Sequence, residues 1–213
     1  MKGVTDSSWP PKRLEQLSPN PFAFLAFVAF SICSPSCFYF SSSSSVFFLS
    51  FFFFSCSQSL NRYPDILPEP ETRVQLSDGR YINANFVRDV TGTKWKYIAT
   101  QGPLQGTASD FWQMVWEHRV PVVVMAAEFV EGKATKVARY FPAEQGQSVQ
   151  VGSFVVTLAR MELLGNVQCS RLHVQCGADI REIVHYWYRG WPDNGVPMTS
   201  EVTRNEKKKR KKE

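Results

Sequence analysis

Histidine is scarce in this chain of 213 residues, represented only by His118, His173 and His185, and the five cysteines are odd in number and irregular in spacing. An odd, irregular set argues against a disulfide framework and fits a reduced compartment. No Cys/His grouping has the spacing of a zinc site, so no metal is expected. Charge is missing from most of the chain as well. The formal net charge of +5 is carried entirely by residues 204–213, where seven Lys and Arg stand against two Glu. The remaining body is neutral, which leaves no electrostatic footprint for a nucleic-acid partner. A bilayer-length apolar run is lacking too: Phe22 to Cys33 extends over only about a dozen residues, and Ser41 to Ser45 separates it from Phe47 to Phe54, whereas a spanning helix needs roughly 20. There is no internal repeat.

What is present divides the chain into three parts. Residues 1–59 hold a Phe/Ser-rich, low-complexity segment, residues 60–200 have the composition of a folded domain, and residues 201–213 form a basic tail. The tail reads as solvated and disordered rather than as a nuclear or lipid-binding signal. Two accounts of the Phe/Ser tract compete. Lys12 and Arg13 ahead of Phe22 to Ile32 resemble the flank and centre of a signal or anchor, the less favoured alternative. Phe, Ser, Leu, Pro and Cys share pyrimidine-rich codons, however, and Glu201-Val202 can be encoded by a splice-donor sequence, so both ends read as translated intron. On that account, removing Met1 to Ser57 and Glu201 to Glu213 is expected to leave solubility unchanged or improved, because an exposed phenylalanine tract is an aggregation liability.

Within the body, Arg73 to Leu76, Tyr81 to Val87 and Tyr97 to Thr100 are predicted strands rich in branched and aromatic residues. The pattern Thr107-x-x-Asp110 suggests a capping box, with a helix from about Ala108 to His118 whose Phe111, Trp112, Val115 and Trp116 recur at helical spacing. Val120 to Met125 is continuously apolar, the signature of a strand buried on both faces. Phe154 to Ala159 and Ile183 to Tyr188 predict further strands.

Six ordered blocks carry a resemblance. They are Asn61-Arg62-Tyr63-Pro64-Asp65-Ile66-Leu67-Pro68, Tyr81-Ile82-Asn83-Ala84-Asn85, Tyr97-Ile98-Ala99-Thr100-Gln101-Gly102-Pro103-Leu104, Asp110 to Glu117, Arg181-Glu182-Ile183-Val184-His185-Tyr186, and Trp191-Pro192-Asp193-Asn194-Gly195-Val196-Pro197. In this order they resemble the N-terminal half of the classical protein tyrosine phosphatase catalytic domain. The resemblance implies an α/β fold, a mixed sheet flanked by helices, here incomplete. It also implies metal-free, cofactor-free hydrolysis of protein phosphotyrosine, and so phosphotyrosine proteins as partners in a cytoplasmic setting, with a membrane location as the alternative.

Site residues follow by matching. Asp193 matches the general acid that protonates the departing phenol, on a loop formed with Trp191 and Pro192; Pro192 and Gly195 would set its hinges. The same residue types would also suit a simple turn. Tyr63 matches the tyrosine that stacks on the substrate phenol, and Asp65 the carboxylate that accepts from the substrate backbone. Glu131 and Lys136 match a supporting loop that steadies the acid loop and the phosphate-binding arginine; a solvated charged turn is the plainer reading. Pro68-Glu69-Pro70 departs from the family pattern of Pro, an aromatic and Asp, which alters the pocket's edge.

The nucleophile has no match. The family's phosphate loop is His-Cys-x-x-Gly-x-x-Arg, and its Cys and Arg are spaced so that the intervening amides curl toward one anion. Only Cys56 and Arg62 satisfy that count here. Their segment has no glycine and no preceding histidine, and Arg62 already belongs to the tyrosine block. The chain is therefore expected to be inactive. The strand leading to the phosphate loop lies centrally in the resembled fold, so Val120 to Met125 and Ile183 to Tyr188 are also expected to expose apolar faces and open edges, and the chain to fold poorly alone.

Overall fold

The computed structural model of the chain describes residues 25–28 as backbone and residues 58–89 and 91–191. A nine-stranded mixed sheet organises them. Its strands are β1 (Leu25–Val28), β2 (Arg73–Gln75), β3 (Tyr81–Arg88), β4 (Trp95–Thr100), β5 (Val122–Met125), β8 (Ser148–Val151), β9 (Phe154–Leu164), β10 (Val167–Cys176) and β11 (Asp179–Tyr188), with the helix α1 (Ala108–Glu117) between β4 and β5. A separate small hairpin pairs β6 (Val130–Glu131) with β7 (Ala134–Thr135). The order across the large sheet is β2-β3-β4-β1-β5-β11-β10-β9-β8. Pairings of β4 with β1, β1 with β5 and β5 with β11 are parallel, and the outer pairings are antiparallel. This is the mixed sheet that the sequence implies.

The strand pattern follows from period-two burial. In β3, Ile82 and Ala84 are buried in the core while Tyr81, Asn83 and Asn85 alternate with them. In β5, Val122, Val123 and Met125 are all buried, as a continuously apolar strand requires. The open edge expected for β5 is not there. β1 lies between β4 and β5, with Leu25 opposite both Tyr97 and Val122, and Val28 opposite both Thr100 and Met125.

Helix α1 seats Phe111, Trp112, Met114 and Val115 in the core. Trp112 is fully buried, its indole Nε1 donating to the Tyr140 carbonyl at 2.7 Å, and the Phe111, Trp112 and Tyr140 rings pack together. The capping box does not form. The Thr107 hydroxyl accepts instead from the Leu104 amide at 2.9 Å, and Asp110 pairs with Arg80 of β3's approach. The Thr107 side chain is thus spent on the turn that precedes the helix, and Asp110 on a tertiary contact that a local reading cannot see.

A buried polar pair sits under the sheet centre. His185 on β11 is fully buried, with its Nε2 2.6 Å from the Tyr140 hydroxyl, which also lies 3.5 Å from the Met125 sulfur. Burial drives the His185 pKa down to about 3. The folded-state value lies below the unfolded value of ~6.5, so the unfolded chain takes up the proton first as pH falls. The stability is complete above about pH 6.5 and is lost progressively below it, by up to ~1.4 kcal/mol per unit. Between pH 7 and pH 5 the chain is expected to lose about 2 kcal/mol more than a His185→Gln variant, read from urea midpoints. Equal losses in the two proteins would remove His185 as the cause.

Candidate active site

The tyrosine loop is built on β3. Alternation places Tyr81, Asn83 and Asn85 on the face opposite Ile82 and Ala84, and all three reach the segment that precedes β2. The Tyr81 hydroxyl and the Asn83 amide both donate to Asn61 Oδ1, at 2.8 and 2.9 Å. Asn83 Nδ2 also donates to the Ile66 carbonyl at 2.8 Å, and Asn85 donates to the Glu69 carbonyl and accepts from the Glu69 amide. Inside this frame the Ile66 amide donates to the Tyr63 carbonyl at 3.1 Å. That closes a four-residue turn with Pro64 at its second position, where proline's fixed φ is already correct. Asn61 is buried, Tyr63 is half-buried and Asp65 is exposed.

The loop is also fastened to the β6–β7 hairpin. Arg62 Nη1 donates to the Thr135 carbonyl at 2.7 Å and Nη2 to the Pro103 carbonyl at 3.2 Å, while the Arg62 amide donates to Gln101 Oε1 at 2.9 Å. The next residue along each segment makes the second link: Lys136 Nζ donates to the Tyr63 hydroxyl at 3.1 Å. Glu131 lies on the same hairpin, half-buried and paired with Ala134 across a turn in which Gly132 has φ +58°. The structure therefore brings Tyr63 and Lys136 into contact, with Glu131 on the strand beside Lys136's approach. Asn61, Arg62, Asn83 and Gln101 do the positioning, and sequence reading missed that role. Its signal was there, because all four lie in the resemblance blocks at positions that alternate with, or flank, the apolar ones. An Asn83→Ala variant removes two of these bonds. It is expected to speed hydrogen exchange of the Ile66 amide about tenfold, a loss of about 1.4 kcal/mol locally, while the Val123 amide is unchanged. Unaltered exchange at Ile66 would mean that Asn83 does not hold the turn.

The segment leading from β11 to Trp191 is held separately. Trp187 near the end of β11 donates from Nε1 to the Ala127 carbonyl at 2.9 Å and packs edge-on against Phe129. Beyond the strand, the Arg189 amide donates to the Asn166 carbonyl at 2.8 Å and the Gly190 amide donates to Glu128 Oε1 at 2.7 Å. Gly190 has φ +83°, a conformation that side chains resist. Trp191 follows, partly exposed and edge-on to Tyr188 at 5.9 Å. Pro192 and Asp193 lie outside the described residues. Glu128 and Asn166 are the residues that reasoning from the sequence did not single out here.

One of the two described cysteines is held as a thiol. Cys169 on β10 is buried, and burial raises its thiol pKa to about 11, so it carries no thiolate at neutral pH. Cys176 is a free, partly buried cysteine at the end of the same strand. Cys33, Cys37 and Cys56 lie outside the described residues. Among the described residues no group of three or more His, Cys, Asp or Glu is placed to hold a metal.

A parallel sheet centre, a helix packed on one face and a tyrosine turn pinned to a lysine-bearing hairpin define an α/β domain of the phosphatase type. A sequence model described as Protein-tyrosine phosphatase matches residues 57–213, and the chain belongs to the protein tyrosine phosphatase family. It is 40% identical over 148 residues to mouse tyrosine-protein phosphatase non-receptor type 18, covering 66% of this chain and 32% of that protein. Human tyrosine-protein phosphatase non-receptor type 7 is 38% identical over 148 residues, covering 67% and 40%. Among solved structures, PTPN18 in complex with HER2 phosphopeptides superposes with a TM-score of 0.63 at 37% identity, covering 71% of this chain and 58% of that one. The chain thus spans about a third to two-fifths of the length of these curated relatives.

Proposed function

We propose that these 213 residues carry the phenol-recognising and leaving-group-protonating parts of a protein phosphotyrosine phosphatase site, and that by themselves they do not hydrolyse phosphotyrosine. The observation that carries this reading is the Lys136–Tyr63 contact at 3.1 Å. It fixes the phenol-stacking tyrosine against the supporting hairpin in a chain that belongs to the family. Tyr63 stacks on the substrate ring, Asp65 accepts from the substrate backbone, and Glu131 and Lys136 steady the site. Asp193, between Trp191, Pro192 and Gly195, donates the proton to the leaving phenol. The substrates are phosphotyrosine proteins, the class named for the structural neighbour in complex with phosphopeptides. No metal or cofactor takes part. The sequence places the domain at residues 60–200 and a basic tail at 201–213, while the sheet also takes in β1 from outside those bounds. The setting we infer is cytoplasmic, from the odd number and irregular spacing of the five cysteines.

Inactivity of the chain alone follows from the reaction. Displacement at phosphorus in this family needs a thiolate that attacks and an arginine that holds the phosphoryl oxygens, and no Cys-x-x-Gly-x-x-Arg sequence occurs among these residues. Phenol release from an aryl phosphate at the level of a buffer blank supports the reading; release catalysed by the chain ends it. A second reading, a non-catalytic interaction module, is favoured by one observation, the filling of the sheet's centre by β1. An anchored form would use the Phe/Ser tract. Among the described residues no helix is long and apolar enough to cross a membrane.

A further inference from the structure

The centre of the sheet depends on a strand from the far side of the Phe/Ser tract. β4 and β5 do not pair with each other; each pairs in parallel with β1, in matching register through all four of its residues. Neighbouring strands lie ~4.8 Å apart, so β4 and β5 stand about two strand spacings apart. Without β1, two facing rows of backbone N–H and C=O groups would line a slot in the interior of the sheet. The slot's walls carry Ile98, Thr100, Val123 and Met125, all buried, so water would not satisfy those groups without opening the core. The slot accepts one kind of ligand: a short extended segment, running parallel to both walls, with a free N–H at each position.

Leu25-Ala26-Phe27-Val28 fits those terms. It contains no proline and no charge. Parallel entry needs a crossover of a dozen or more residues, and the 66 residues of sequence between Val28 and Trp95 are long enough for one. We propose that the slot between β4 and β5 is a strand-acceptor site and that Leu25–Val28 of the same chain is its resident donor strand. The N-terminal segment is then part of the domain, and the expectation that it can be removed without loss is reversed. Deleting it, or blocking its backbone, opens the sheet at its centre.

Two measurements on the full-length chain test this. The first is hydrogen exchange of a variant with Ala26→Pro and Phe27→Pro, which removes two strand amides, beside a control with Ser43→Pro in the serine run. Amides of Tyr97–Thr100 and Val122–Met125 are expected to exchange at least about tenfold faster in the double variant and unchanged in the control. Unchanged protection in the double variant overturns the proposal. The second measurement avoids a variant that fails to fold. Ala26 lies opposite Val123, and adjacent strand positions fall within the Cα separation that a disulfide accepts. A chain with Ala26→Cys and Val123→Cys, oxidised and mapped by peptide mass spectrometry, is expected to yield the 26–123 link within one monomer. No such link overturns the donor strand, and a link found only between two chains overturns its action within one.

Discussion

Serine substitution of each of the five cysteines in turn is expected to leave phenol release from an aryl phosphate at the buffer blank, where the parent chain already stands. In this family the thiolate forms the new bond to phosphorus while the phenol leaves with a proton from the acid. Loss of that nucleophile removes most of an acceleration of ~10⁶-fold or more. None of the five cysteines replaces it. Cys169 is buried with its pKa raised to about 11. Cys33, Cys37 and Cys176 have no arginine at the required spacing, and Cys56, which does, lacks the glycine that lets the loop wrap an anion. The proposed acid, Asp193, does not make up the loss, because a general acid without a nucleophile only protonates a group that does not leave. A single variant whose turnover falls below that of the parent would identify a working thiol and contradict the assignment.

The largest stability loss is expected from Trp112→Ala. Trp112 is fully buried between Phe111 and Tyr140 and holds the Tyr140 carbonyl from its indole nitrogen. Truncating a buried tryptophan costs about 3–5 kcal/mol through lost burial and the cavity left behind. The orphaned carbonyl adds about 1–3 kcal/mol. Against a total stability of ~5–15 kcal/mol, the variant is expected to be mostly unfolded or to melt many degrees lower. Trp112→Phe keeps much of the volume and loses the hydrogen bond, so its loss should be intermediate. Urea denaturation of the three proteins reads this order. A Trp112→Ala chain within about 1 kcal/mol of the parent would show that α1 does not anchor the core.

Much of the fold was legible because it was written in local patterns. Tyr81 to Asn85 alternates, α1 carries an apolar face, and Val122 to Met125 is apolar throughout, so each element was identified close to its observed bounds. β10 was missed because its buried face is not apolar throughout. Gln168 and Ser170 are buried beside Leu172 and Val174 and satisfy each other through a 3.2 Å hydrogen bond, which breaks the period-two signal. The Thr107 cap failed because the preceding turn took its hydroxyl and Arg80 took the Asp110 carboxylate. β1 was invisible for a different reason: four apolar residues in a Phe/Ser tract have no local marker of pairing, and their partners lie some 70 and 100 residues away in the chain. The candidate site was legible as a set of residues through the family's motifs. How they meet was not, because the Arg62 bond to the Thr135 carbonyl and the Lys136 bond to Tyr63 join segments whose approach only the sheet determines.

The proposed recognition part of a phosphotyrosine phosphatase site, without its nucleophile, should form no phosphoenzyme. Intact-mass spectrometry of the chain, acid-quenched during incubation with a phosphotyrosine peptide, tests it most directly, since a covalent phosphoryl intermediate is the one species that the missing thiolate alone can form. Only the unmodified mass is expected at every quench time. A phosphoryl adduct mapped to any cysteine, Cys56 first among them, would contradict it.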